Sequence, residues 1–156
     1  HGAKAVTMEV SSHALALGRL FGVRFRVAAF TNLTQDHLDL HGTMEAYFAA
    51  KCRLFHDHLL PADRGGRAVI NLDDAWGRKL FDTLPAAQRI GFSTSGPADI
   101  SVSNVRSDVE GTAAVFRTPI GEVTIASPLT GRFNLENLAL SVGIGVALGL
   151  SAVQIG

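Results

Sequence analysis

The chain has 156 residues, 47% of them hydrophobic, and its 14 basic and 14 acidic side chains give a formal net charge of zero. This excludes a disordered chain, suffices for one domain with a sizeable core, and offers no basic run or basic–aromatic pattern for a nucleic-acid surface. The lone Cys52 argues against a disulfide framework and fits a reducing cytoplasm, and the longest apolar run is broken by Gly143, Gly145 and Gly149 before it reaches the roughly 18 residues of a membrane span.

Residues 4–10 (KAVTMEV) read as a buried strand, and Ser11 or Ser12 can cap a short helix running to residue 17. Residues 27–32 read as a second apolar strand, followed by a loop over 34–42. Thr43 is a good N-cap for a helix over 44–58, with Glu45 in the first turn favoured by the helix dipole. Residues 61–66 make a turn, 67–71 a third strand, Asp73 or Asp74 caps a helix to residue 81, and 88–92 form a fourth strand. Strands alternating with helices predict an α/β fold: a doubly wound, mostly parallel sheet flanked by helices. The texture then changes to short runs at 100–105, 112–118 and 122–126, separated by Glu110-Gly111 and Ile120-Gly121. These predict a small antiparallel β meander over about residues 98–126. Residues 134–148 return to helix, and a new helix begins after Ser151. The start at His1 and the stop at Gly156 read as the ends of a piece of a longer protein.

The chemistry concentrates between Thr31 and Leu54. Met44, Tyr47, Phe48, Lys51, Leu54 and Phe55 follow the spacing of a core-facing helix, so Lys51 sits in an apolar stripe. Either it snorkels, with its ammonium in water, or its amine is desolvated, its pKa falls, and the neutral form can add carbon dioxide as a carbamate. In an open α/β sheet, ligands gather at the carboxyl ends of the strands. Glu9 ends the first predicted strand and His37 follows the second. Together they could hold a divalent cation; separately they read as a helix-capping carboxylate and a solvated loop histidine. His37, Asp39 and His41 also have the look of a zinc cluster, but no HExxH is present and Cys52 has no second cysteine nearby. Ser11-Ser12-His13 lacks the nucleophile-elbow pattern and reads better as a cap. Asn134 and Asn137, one turn apart after Gly131, could share a face and bind a polar heterocycle, or simply cap the helix. No GxxxxGK[ST] loop occurs in the chain.

Four blocks, MEVSSHAL, TNLTQDHLDLHGTMEAYFAAKCRLF, VINLDD and LTGRFNLENLALS, resemble in matching order the central, ATP-binding domain of the Mur ligases. The nearest branch is the UDP-N-acetylmuramoyl-tripeptide synthetases. The resemblance covers nearly the whole chain and implies an ATP-dependent amide ligase of peptidoglycan synthesis in the cytoplasm. In such enzymes a substrate carboxylate attacks ATP to give an acyl phosphate, which an amino acid's amine then displaces. The implied acceptor is UDP-MurNAc-L-Ala-D-Glu, and the added residue is meso-diaminopimelate or L-lysine. By the same resemblance, Glu9 and His37 match Mg²⁺ ligands and Lys51 the carbamylated lysine. Ser11 and Arg19 match contacts to the UDP-muramoyl peptide, and Asn137, together with Asn134, the adenine side of the ATP site. Leu17 stands where some members carry a glutamine contact.

The resemblance also implies a phosphate-binding GTNGKT loop upstream of His1, a UDP-binding N-terminal domain and an amino-acid-selecting C-terminal domain. The chain alone is therefore expected to form an incomplete central domain without ligase activity, and to self-associate through uncovered sheet surface. Rival readings are another ligase of the superfamily, such as folylpolyglutamate synthase or a different Mur enzyme, and a non-catalytic nucleotide-binding module.

Overall fold

Among the described residues, six strands pair in the order in which the chain makes them, β1 (Val27–Phe30), β2 (Arg67–Asn71), β3 (Arg89–Ser93), β4 (Ile100–Asp108), β5 (Gly111–Thr118) and β6 (Gly121–Ser127). This computed structural model describes residues 2–34 and 41–156. The first three strands are parallel neighbours. β4 starts in parallel beside the end of β3, through Phe92–Ile100 and Ser93–Ser101, and from Ser101 to Asp108 it also pairs antiparallel with β5. β5 and β6 complete the expected meander.

Helices cover both faces. Alternation along β2 divides the core: Ala68 and Ile70 point one way, Val69 the other. On the first face, Ala28, Phe30, Ala68 and Ile70 pack with Tyr47, Phe55 and Leu80 from α2 (Met44–Arg53), its π-helical extension Leu54–His58, and α3 (Ala75–Thr83). On the second, Val69, Phe92, Ile100 and Phe116 pack with Ala139 and Val142 of α4 (Arg132–Ala147). Two glycines permit this closeness. A Cβ on Gly77 of α3 would lie 2.0 Å from the Asn71 carbonyl oxygen, and one on Gly143 of α4 would lie 2.6 Å from Val69 Cγ1. Two further α-helices are short, α1 (Ser12–Ala16) and α5 (Ala152–Ile155).

Local chemistry sets the helix starts. Ser11 Oγ accepts from Ala14 N, Thr43 Oγ1 from Ala46 N, and Asp74 from the amides of Trp76 and Gly77. Each satisfies donors that a helix cannot satisfy internally. Ser151 and Gln154 form a capping box at α5. Among the described residues, no helix is long and apolar enough to cross a membrane.

The predicted buried strand over 4–10 is not formed. These residues are largely exposed, with Val6 at 85% and Met8 at 52%. Apolar side chains alone do not make a strand; it also needs a neighbour's N–H and C=O groups. Residues 2–10 pair with no strand among the described residues, and β1 forms its ladder with β2 alone.

Candidate functional site

The sequence-predicted residues fall into two groups around the segment after β1. The first lies along α2. Thr43 starts this helix so that Tyr47 and Lys51 are one turn apart, and the Lys51 Nζ sits 5.4 Å from the centroid of the Tyr47 ring. Burial holds the Lys51 amine below the ordinary lysine range, and the Glu9 carboxylate partly opposes this by favouring the ammonium. Glu9 and Lys51 are thus within electrostatic reach, although the strand expected to carry Glu9 is absent. A desolvated amine has the chemistry required for reaction with carbon dioxide, and the oxygen-rich product together with the Glu9 carboxylate would suit a hard cation.

Aromatic contacts support this group. His41 stacks on Tyr47 at 5.1 Å, its Nε2 lies 3.0 Å from the Ser12 hydroxyl, and it meets His13 edge-on at 6.0 Å. Arg53 donates from Nη1 to the Leu15 carbonyl at 2.8 Å, fastening α1 to α2. Ser11 uses its hydroxyl as a helix cap and remains exposed, as do Arg19 and Leu17. Cys52, next to Lys51, has its thiol pushed up to about 11 by burial and is not a ready nucleophile. His37 and Asp39 lie outside the described residues, as does most of the loop predicted over 34–42.

The second group is a cleft of about 170 Å³ at the carboxyl ends of the parallel strands. Thr31 and Asn32 follow β1, Asn71 ends β2, and Phe92 lies in β3; Phe133, Glu136 and Asn137 on the first turns of α4 close the other side. Amide groups and aromatic faces together suit a flat polar ring. Asn137 lines this cleft. Asn134 is turned to a local task, its amide donating to the Thr130 carbonyl at 2.7 Å. The exposed Phe133 (76%) and Glu136, which accepts from Arg132 Nε at 3.2 Å, enter the cleft without having been singled out by the sequence reading.

Two adjacent acids brace these strand ends. Asp73 accepts from the Ser93 and Ser95 hydroxyls and from both the amide and hydroxyl of Thr94. Burial alone would raise its pKa, but these donors outweigh that and hold it at about 2. Asp74 caps α3 with Oδ1, while Oδ2 accepts from Leu33 N at 3.3 Å.

A family model described as the Mur ligase middle domain matches residues 1–145. The chain belongs to this family. A UDP-N-acetylmuramoyl-L-alanyl-D-glutamate--2,6-diaminopimelate ligase of Synechococcus elongatus is 50% identical over 149 residues, which are 96% of this chain and 29% of that protein. A solved structure of a ligase with the same name superposes with a TM-score of 0.78 at 33% identity, over 94% of this chain and 30% of the other. A MurF from Acinetobacter baumannii gives a TM-score of 0.69 at 25% identity, over 83% of this chain and 27% of the other. This Mur ligase middle domain thus spans less than a third of the relatives it matches. Its mixed sheet, covered by helices on both faces, agrees with the fold expected from its sequence.

Proposed function

We propose that this middle domain is the ATP-using part of a cytoplasmic ligase that adds the third amino acid to UDP-MurNAc-L-Ala-D-Glu. The desolvated Lys51 amine beside Glu9 carries the reading, because it stands where the resemblance requires a carbamylated lysine. The relatives' printed names favour 2,6-diaminopimelate as the added residue.

In this reading Lys51 is carbamylated in the intact enzyme. Its carbamate, Glu9 and His37 would hold Mg²⁺, which would neutralise phosphate charge when bound. Oxygen and imidazole donors fit such a cation, and the Glu9 carboxylate is already close enough to act on Lys51. Asn137 binds adenine in the cleft, and Ser11 and Arg19 hold the UDP-muramoyl peptide from exposed positions flanking α1. Through the cation they would hold, Lys51 and Glu9 act at the phosphate end of the nucleotide, while the cleft fixes the base at a distance. Orientation of this kind accounts for much of the catalysis of group transfer. The dipeptide's carboxylate forms a bond to the γ-phosphorus as the bond to ADP breaks. The amino acid's amine then adds to the acyl carbon, loses a proton, and phosphate departs.

The full-length protein should release phosphate from ATP only when both UDP-MurNAc-L-Ala-D-Glu and 2,6-diaminopimelate are supplied, and Lys51→Ala should abolish this. Equal turnover with a folate polyglutamate acceptor would favour the sister ligases instead. Among the described residues, Val6 and Phe21 (96%) are exposed and β1 pairs with β2 alone, which also supports self-association of the isolated chain.

A further inference from the structure

We propose that Asp74 is a positioning residue that sets the Thr31–Asn32 wall of the cleft; this inference rests on the nucleotide reading of that cleft. One carboxylate joins two elements. Oδ1 accepts from Trp76 N at 2.9 Å and Gly77 N at 2.8 Å, so the group is fixed to the start of α3. Oδ2 accepts from the Leu33 amide, 41 residues away in sequence. Leu33 is buried in the core with Tyr47, and the two residues before it line the cleft with Asn71 and Asn137. The backbone of residues 31–34 is neither helix nor strand. It therefore lacks the repeating ladder that holds β1, and a charge-assisted bond from a rigid helix start replaces that support. Asp74 also follows Asn71 by three residues, so the same short stretch supplies one part of the strand-end wall and pins its neighbour after β1.

Serine and asparagine at position 74 separate this role from capping. Both can cap α3. Serine cannot reach Leu33 while capping, and asparagine can present an NH₂ group, a second donor, to the Leu33 amide. In the full-length ligase, Asp74→Ser and Asp74→Asn should raise the ATP KM about tenfold, the loss expected for one charge-assisted hydrogen bond, with the melting temperature and the amino-acid KM near wild type. Hydrogen exchange at the Leu33 amide should quicken in both. An unchanged ATP KM in a folded variant, or a raised KM with unaltered Leu33 exchange, overturns the proposal. Asn137→Ala serves as the reference. If it raises the ATP KM and the Asp74 variants do not, only the positioning role fails; if it leaves the ATP KM unchanged, the nucleotide reading of the cleft fails.

Discussion

The Ser93 hydroxyl donates to Asp73 Oδ1 at 2.5 Å and so ties the end of β3 to the residues that follow β2. The same serine oxygen accepts from the amides of Ser95 and Gly96, at 3.1 and 2.8 Å, which folds the β3–β4 link back on itself. The strand ends beneath the cleft are thereby cross-braced by side chains beyond the last ladder bonds.

Asp73→Asn should therefore destabilise the domain by about 1–3 kcal/mol near neutral pH, since an amide cannot serve all of these donors. The folded-state pKa lies below the ordinary 3.8, so the ionised form is stabilised by folding. The wild-type advantage should be full well above pH 3.8 and shrink as pH falls through about 2. Chemical denaturation of both proteins across this range checks the sign, and a gap that widened on acidification would contradict it.

Gly77→Ala should cost about 1–3 kcal/mol, because the new Cβ would meet backbone, the Asn71 carbonyl oxygen at 2.0 Å, and not a side chain that can turn away. Gly96→Ala is the matched control, with its nearest atom at 3.7 Å. Thermal melts of the two variants should separate clearly.

The Lys51 carbamate should form in the full-length ligase with Mg²⁺ and nucleotide present, and the isolated 156-residue chain should carry the plain amine. Labelled bicarbonate should give a carbamate carbon resonance in the first case that disappears in Lys51→Ala. A resonance that survives the substitution places the modification elsewhere.

Asn134→Ala and Asn137→Ala should behave differently despite lying one turn apart. Asn137 faces the cleft, so its loss should raise the ATP KM; Asn134 bonds the Thr130 carbonyl, so its loss should act chiefly on stability. Kinetics and melting of the same two full-length variants make the comparison direct.

The isolated chain should release no phosphate from ATP, as it contains no GxxxxGK[ST] loop to hold the nucleotide's phosphates. In light scattering it should show species larger than a monomer. Substrate-dependent phosphate release would refute the first expectation, and a strictly monomeric solution the second.

Elements governed by nearby residues were legible in the sequence. The caps at Ser11, Thr43 and Asp74 are local hydrogen bonds, and the Met44-to-Phe55 stripe is a local periodicity. The segment over 4–10 misled because apolar composition says nothing about whether a neighbouring strand is there to pair with it. The Asp73 brace was equally hidden: its donors lie 20 to 22 residues away, and only the β2–β3 register brings them together. For the candidate site, sequence marked Lys51 as out of place and Asn137 as near a helix start. The partnership of Thr31, Asn32, Asn71 and Phe133 around one cleft arises from strand order, which no single segment encodes.

The contact that Gly143 permits with Val69 has a consequence for how this cleft can change. Val69 and Asn71 lie two residues apart on β2, on one face, and Gly143 and Asn137 lie six residues apart on α4, about 9 Å along its axis. The helix is seated at one point and presents its amide at another, like a lever resting on a fulcrum. A methyl group added under the fulcrum would press on Val69, and a shift of α4 that relieved it would alter the gap between Asn71 and Asn137 while every residue in the gap stayed the same. In the nucleotide reading of this cleft, ligand preference could thus be tuned from inside the core, at a position outside the cleft lining.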